Sequence, residues 1–146
     1  MSLFPLIAQT DSGSEPVSSA LPLYREVDWN FTTNRPVWRN GEPVFVTGAR
    51  AVLVWAWNAL HTPRFAHDVY SHAYGLNSGA LLGRPYTEGV LQSEAARIIR
   101  ETLTVNPYIT SVDGVDVTLS GGTLQVSFGM TTIYGEVKLD GCDITL

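Results

Sequence analysis

The apolar residues of the second half change their period at Pro107, and that change restricts this part of the chain to a helix followed by a sheet. From Glu88 to Leu103, the residues Leu91, Ala95, Ile98 and Thr102 or Leu103 recur at helical spacing, with Thr87 placed to cap the first turn. Glu94, Arg97 and Glu101 fall three and four apart on the polar side and read as a solvated face of ion pairs. Beyond Pro107 the period is two. Val115, Val117 and Leu119 alternate with Asp116 and Thr118, and Leu124, Val126, Phe128 and Met130 alternate with Gln125, Ser127 and Gly129. Gly121-Gly122 supplies the turn between them, which predicts a hairpin with one buried face. Gly135 to Leu139 extends it as a third short strand of a meander.

The first half is punctuated more heavily. Ordered structure is expected to begin at Leu21-Pro-Leu-Tyr24 and to continue through an extended piece from Glu26 to Phe31. Asn40-Gly41 is a strong hairpin signal, because both central residues of a type I′ turn need positive φ. Pro36 to Arg39 and Pro43 to Thr47 are the expected arms, and their prolines mark them as edge strands. Thr47 is placed to cap a helix from Gly48 to His61, which Pro63 stops. At about 100° per residue, the apolar side chains from Ala51 to Leu60 cover an arc of about 240°, wider than a half-exposed helix needs. Trp55 and Trp57 point about 200° apart on that wheel, so they cannot enter the same core. Either strands of this domain enclose the helix or a second subunit packs on it. The stretch from Thr62 to Tyr86 is rich in Tyr, His and Gly, with a short helical turn expected at Ser78 to Leu82.

These elements predict an α+β fold: one small domain, residues 21–146, with two main helices packed on a short, mostly antiparallel sheet. Residues 1–20 are read as a flexible N-terminal arm. From Gln9 to Ala20 the composition is Ser, Gly, Asp, Glu and Pro, too polar to offset its ordering entropy. The apolar octet before it is either a ragged terminus or a docking peptide. It has no basic start, is broken by Pro5 and is too short for a signal peptide or a membrane span, so neither is expected.

Composition narrows the partners. Charged residues make up 16% of the 146-residue chain, against about a quarter in an ordinary soluble domain, which predicts that part of the surface is covered by something else. The net charge of −5 and the lack of any Lys or Arg run argue against nucleic acid. The lone Cys142 excludes an internal disulfide or a multi-cysteine zinc site and fits a reducing cytosol. His61, His67 and His72 lack the i, i+4 spacing of a helical metal pair, so no metal or cofactor is expected. Ser71-His72 is adjacent in sequence only, without a G-x-S-x-G elbow. Gly121-Gly122 opens no helix and cradles no phosphate.

Leu21-Pro-Leu-Tyr-Arg-Glu26, Asp28-Trp-Asn-Phe31, the helix with Trp55 and Trp57, Thr62-Pro-Arg-Phe65, Tyr70-Ser-His-Ala-Tyr-Gly75, Gln92-Ser-Glu-Ala95, Asn106-Pro-Tyr-Ile109 and Thr132-Ile-Tyr-Gly-Glu136 follow one another in an order and spacing that resemble a known family. This is the XkdS-type family of baseplate wedge proteins in PBSX-like prophages, related to the gene-25-product family of T4-like phages. The resemblance runs from about Leu21 to Leu139. Pro63 stands where that family typically has an acidic residue, and His72 stands where an aromatic residue would be usual.

The resemblance implies a structural, non-enzymatic part of a contractile-tail baseplate in the virion, assembled in the host cytoplasm and present as several copies in a ring. Its implied partners are the wedge scaffold proteins, the tail sheath protein and the tube or hub, with no nucleic acid and no membrane. In the gene-25-like branch an exposed sheet edge starts the sheath, and strand addition needs only main-chain hydrogen bonds. The partner interface is expected at Trp55, Trp57, Arg64, Tyr70, Tyr74, Tyr134 and Glu136. Arg64 is either a bidentate contact to a partner carboxylate or an internally paired arginine. The alternative is a small tail-associated peptidoglycan hydrolase, for which Asp68, Glu88, Glu94 and Glu101 are the available carboxylates, though nothing singles out a pair. A cytosolic binding module unrelated to tails is the third reading.

Overall fold

Pro36 and Pro43 shape the first half of the fold, because a residue without an N–H cannot donate to a ladder. In the computed structural model, which describes residues 21–66, 69, 71, 73–81 and 87–145, this region forms three small antiparallel ladders. β1 (Arg25–Val27) pairs with β6 (Phe45–Thr47), β2 (Trp29–Asn30) with β3 (Arg35–Pro36), and β4 (Trp38–Arg39) with β5 (Glu42–Pro43). Three backbone bonds close a ring where the ladders meet. Asp28 N–H donates to the Val44 carbonyl (2.7 Å), Val37 N–H to that of Asp28 (2.8 Å) and Val44 N–H to that of Val37 (3.0 Å). The Asn40-Gly41 turn forms as expected, with φ of 53° and 79°. Its arms differ from the expected Pro36 to Arg39 and Pro43 to Thr47: only two residues on each side pair. Past Pro43 only the bond from Val44 N–H to the Val37 carbonyl carries the pairing on, and Phe45–Thr47 joins Arg25–Val27 instead.

Helix α1 (Gly48–His61) has the expected limits. Thr47 occupies the N-cap position, but its hydroxyl makes no capping bond; the Gly48 N–H donates to the Tyr24 carbonyl at 3.0 Å. At the far end the Thr62 hydroxyl donates to the Asn58 carbonyl, at 2.7 Å, just before Pro63. Ala51, Val52, Val54, Ala56 and Ala59 are fully buried. β1 and β6 cover the helix on one side, and α2 (Glu88–Thr104) and β9 (Gly135–Thr145) cover it on another. Apart from the half-buried Trp55, the wide apolar arc is thus enclosed by this same chain.

Helix α2 runs one residue past its expected end and buries Ala95, Ala96, Ile98, Ile99, Thr102 and Leu103. Thr87 stands at its N-cap, but it is the backbone carbonyl, not the hydroxyl, that accepts a bond, from the Leu91 N–H at 2.9 Å. The helical turn expected at Ser78 to Leu82 appears as a 3-10 turn at Ser78–Ala80.

The sheet orders β7 (Ile109–Ser120), β8 (Thr123–Thr132) and β9 side by side, all antiparallel. These strands are twelve, ten and eleven residues long, not short. Bulges hide their length from a period-two reading. The pairing slips between Asp113 and Asp116, around Gly114 at φ 61°, and in β9 around Gly141 at φ 66°. Past each slip the buried side chains change parity, so Val112 and Val117 both face inward, as do Leu139 and Cys142. Leu119, expected inside, is 43% exposed beside the Gly121-Gly122 turn.

Cys142 has no exposed surface, and burial, with the Asp143 charge adding to it, pushes its thiol up to about 12. The thiolate is the reactive species. The native protein is therefore expected to resist an aromatic disulfide reagent at neutral pH and to react fully in denaturant, as followed by thiol release. Rapid labelling without denaturant would show that the end of β9 opens.

Candidate interaction site

Three stretches distant in sequence meet at one corner of the molecule: Leu21–Tyr24, Asn106–Ile109 and the β8–β9 turn around Ile133-Tyr134. Asn106 starts the corner. Its side-chain carbonyl accepts from Tyr108 N–H (2.9 Å) and its main-chain carbonyl from Ile109 N–H (3.0 Å), which turns the chain from α2 into β7. Tyr108 then lies between Tyr24 and Tyr134, with ring centroids 4.6 Å and 6.2 Å away. The Tyr134 hydroxyl accepts from Tyr24 N–H at 2.9 Å, and the Tyr108 hydroxyl donates to the Pro22 carbonyl at 2.6 Å. Around this polar-satisfied core, Leu21, Leu23, Val105, Ile133 and Tyr134 are exposed. Sequence reasoning singled out Tyr134 but missed Tyr24 and Tyr108.

Next to the corner, Trp55 and Tyr74 meet edge to face at 5.8 Å. The pair lines two clefts. One, of about 310 Å³, is shared with Tyr24, Val105 and Tyr108; the other, of about 650 Å³, with Glu26, Trp29, Asn58 and Thr62. Trp57 lies elsewhere and is buried, held between Phe31 and His61. Arg64 donates to Glu101 of α2 at 3.4 Å and lies 4.8 Å from the Phe65 ring centroid, so the acid that Pro63 does not supply comes from α2. Tyr70 lies outside the described residues, and Glu136 is exposed on β9.

The carboxylates offered for hydrolysis are differently placed. Glu94 and Glu101 both pair with Arg97, while Asp68 lies outside the described residues, as do His67 and His72. His61 directs its ring nitrogens at the carbonyls of Trp57 (2.8 Å) and Asp143 (3.0 Å), tying the end of β9 to α1. Among the described residues no three His, Cys, Asp or Glu side chains group to hold a metal, and no helix is long and apolar enough to cross a membrane.

Burial holds the Glu26 carboxyl above its ordinary value of 4.5, against a lowering bond from the Tyr24 hydroxyl at 3.2 Å. Burial, then the Glu26 charge, pushes Tyr24 up as well. Glu26 thus binds its proton more tightly folded than unfolded, and its charge weakens the fold as pH rises through and above the ordinary carboxyl range. Glu26→Gln keeps an acceptor for Tyr24 and removes that charge. It is expected to raise the melting temperature at neutral pH and to leave it unchanged below about pH 4; an equal gain at both would mean that the charge is not the cause.

The described residues thus form a small α+β fold with an apolar tyrosine corner, aromatic clefts and an outer strand, surfaces of the kind that protein–protein contact uses. The contractile injection system sheath initiator family matches the chain over residues 25–135, and the chain belongs to that family. It is therefore a structural component of a phage-type contractile tail. It is also similar to the phage-like element PBSX protein XkdS of Bacillus subtilis (strain 168), with 28% identity over 96 residues that cover 65% of this chain and 68% of that protein.

Proposed function

We propose that this protein sits in the inner baseplate, in a ring of copies, where it joins the wedge scaffold to the tube or hub and templates the first sheath ring by strand addition. The observation that carries this reading is the outer edge of β9. Among the described residues, no backbone partner faces the outer edge from Glu136 to Asp140, while on the other edge Glu136 to Leu139 are laddered to β8. Such an edge accepts a further strand through main-chain bonds that any sequence can make. β7 is the other outer strand, but there the guanidinium of Arg100 on α2 reaches the Val112 carbonyl at 3.4 Å. The tyrosine corner, with Trp55, Tyr74 and Arg64 beside it, then faces the wedge scaffold, and the protein works without catalysis.

Electron cryo-microscopy of purified tails tests this directly. Density for the chain beside the innermost sheath ring, with a foreign strand on β9 and the tyrosine corner covered, is the expected result. Complete tails that contain none of the protein would overturn the reading, and a peptidoglycan-cleavage assay would follow.

A further inference from the structure

β9 sorts its side chains by face, as a strand must. Glu136, Lys138 and Asp140 are exposed, whereas Leu139 is buried and Val137 packs against the core. Along the segment with the open edge, the outer face therefore reads negative, positive, negative, and the inner face is apolar. Beside Lys138 the middle strand carries Gly129, whose missing side chain leaves a hollow of about 340 Å³ bordered by Asp113, Glu136, Lys138 and Asp140. From residue 109 onward the chain holds five carboxylates and a single lysine.

We propose that the strand received by β9 has a fixed charge order: basic residues opposite Glu136 and Asp140, an acidic or neutral residue opposite Lys138, and apolar residues opposite Val137 and Leu139. This rests on the strand-addition reading and supplies the specificity that reading lacks. Main-chain bonds accept any sequence, so the choice of partner falls to the side-chain pairs, in which opposite charges directly across the ladder attract and like charges repel. The same pattern excludes a second copy in the register of fullest overlap. An antiparallel β9 centred on Lys138 would set Glu136 against Asp140 and lysine against lysine. The pattern asks for two basic residues on one strand, which a second β9 with Lys138 alone does not supply; under the strand-addition reading the occupant is a basic, amphipathic strand of the sheath protein.

The test uses the full chain and the purified sheath protein encoded with it. Glu136→Lys combined with Asp140→Lys is expected to weaken binding about tenfold or more and to flatten its salt dependence. Glu42→Lys combined with Asp116→Lys makes the same change in net charge at exposed positions away from β9 and is expected to stay within about twofold of the native chain. Amide hydrogen exchange over Glu136–Asp140 in the native complex reports strand addition independently. Protected amides with undiminished binding by the β9 double variant would overturn the charge order and leave strand addition standing. Equal losses in both double variants would also overturn it, as an effect of net charge alone. Unprotected amides, or no binding by the native chain, would remove the strand-addition reading and this inference with it.

Discussion

Trp57→Ala is expected to lower the unfolding free energy by about 3–5 kcal/mol, a large share of the roughly 5–15 kcal/mol that holds a domain of this kind together. Trp57 is 6% exposed. Its ring stacks on Phe31 with centroids 4.5 Å apart and on His61 at 4.3 Å, so truncation empties a slot with walls from two different elements. Its indole N–H donates to the Asn34 side-chain carbonyl at 2.8 Å, and the Trp29 indole donates to the same oxygen at 2.9 Å. Asn34, at φ 52°, is one of the few residue types that tolerates this backbone, and it fastens the β2–β3 hairpin to α1. Trp57→Phe keeps most of the stacking and loses only the donor, so it should cost about 1–2 kcal/mol. Urea unfolding of both variants checks the pair. Equal losses would mean that the hydrogen bond, not the packing, is what α1 needs from this residue.

Gly75→Ala is the second large effect, expected at about 3 kcal/mol or more because strain and collision add. A Cβ on Gly75 would lie 2.7 Å from the Thr62 carbonyl oxygen and 3.0 Å from both the N and the Cα of Arg64, all of them backbone atoms that cannot rotate away. The residue sits at φ 101°, where an L side chain is strained even in open space. Two backbone bonds of ordinary length hold the loop here: Leu76 N–H to the Thr62 carbonyl (2.9 Å) and Arg64 N–H to the Leu76 carbonyl (3.0 Å). The expected result is a detached loop, with faster amide exchange at Arg64 and Leu76 and loss of the Trp55–Tyr74 contact, while α1 and the sheet persist. Tails carrying the variant should then assemble poorly, since Arg64 and Tyr74 belong to the proposed wedge contact. Unchanged exchange at those two amides would show that the corner accommodates the methyl group.

What the sequence determined by itself is local. The limits of α1, the extent of α2 to within one residue, and the turns at Asn40-Gly41 and Gly121-Gly122 follow from period, proline position and the positive φ that Asn and Gly tolerate. Each of these signals acts within a few residues. The family was legible as well, because the order of several short motifs survives without any knowledge of where they meet. The tertiary structure alone decided how the 240° arc of α1 is covered, since a wheel gives direction and not neighbour. It also carried β9 past Leu139 to Thr145: a bulge at Gly141 shifts the parity of the pattern that would have announced the strand. Tyr24, Tyr108 and Tyr134 became one corner only in three dimensions. The bond that joins the first and last of them spans 110 positions, and nothing in a local pattern records which distant partner a tyrosine will meet.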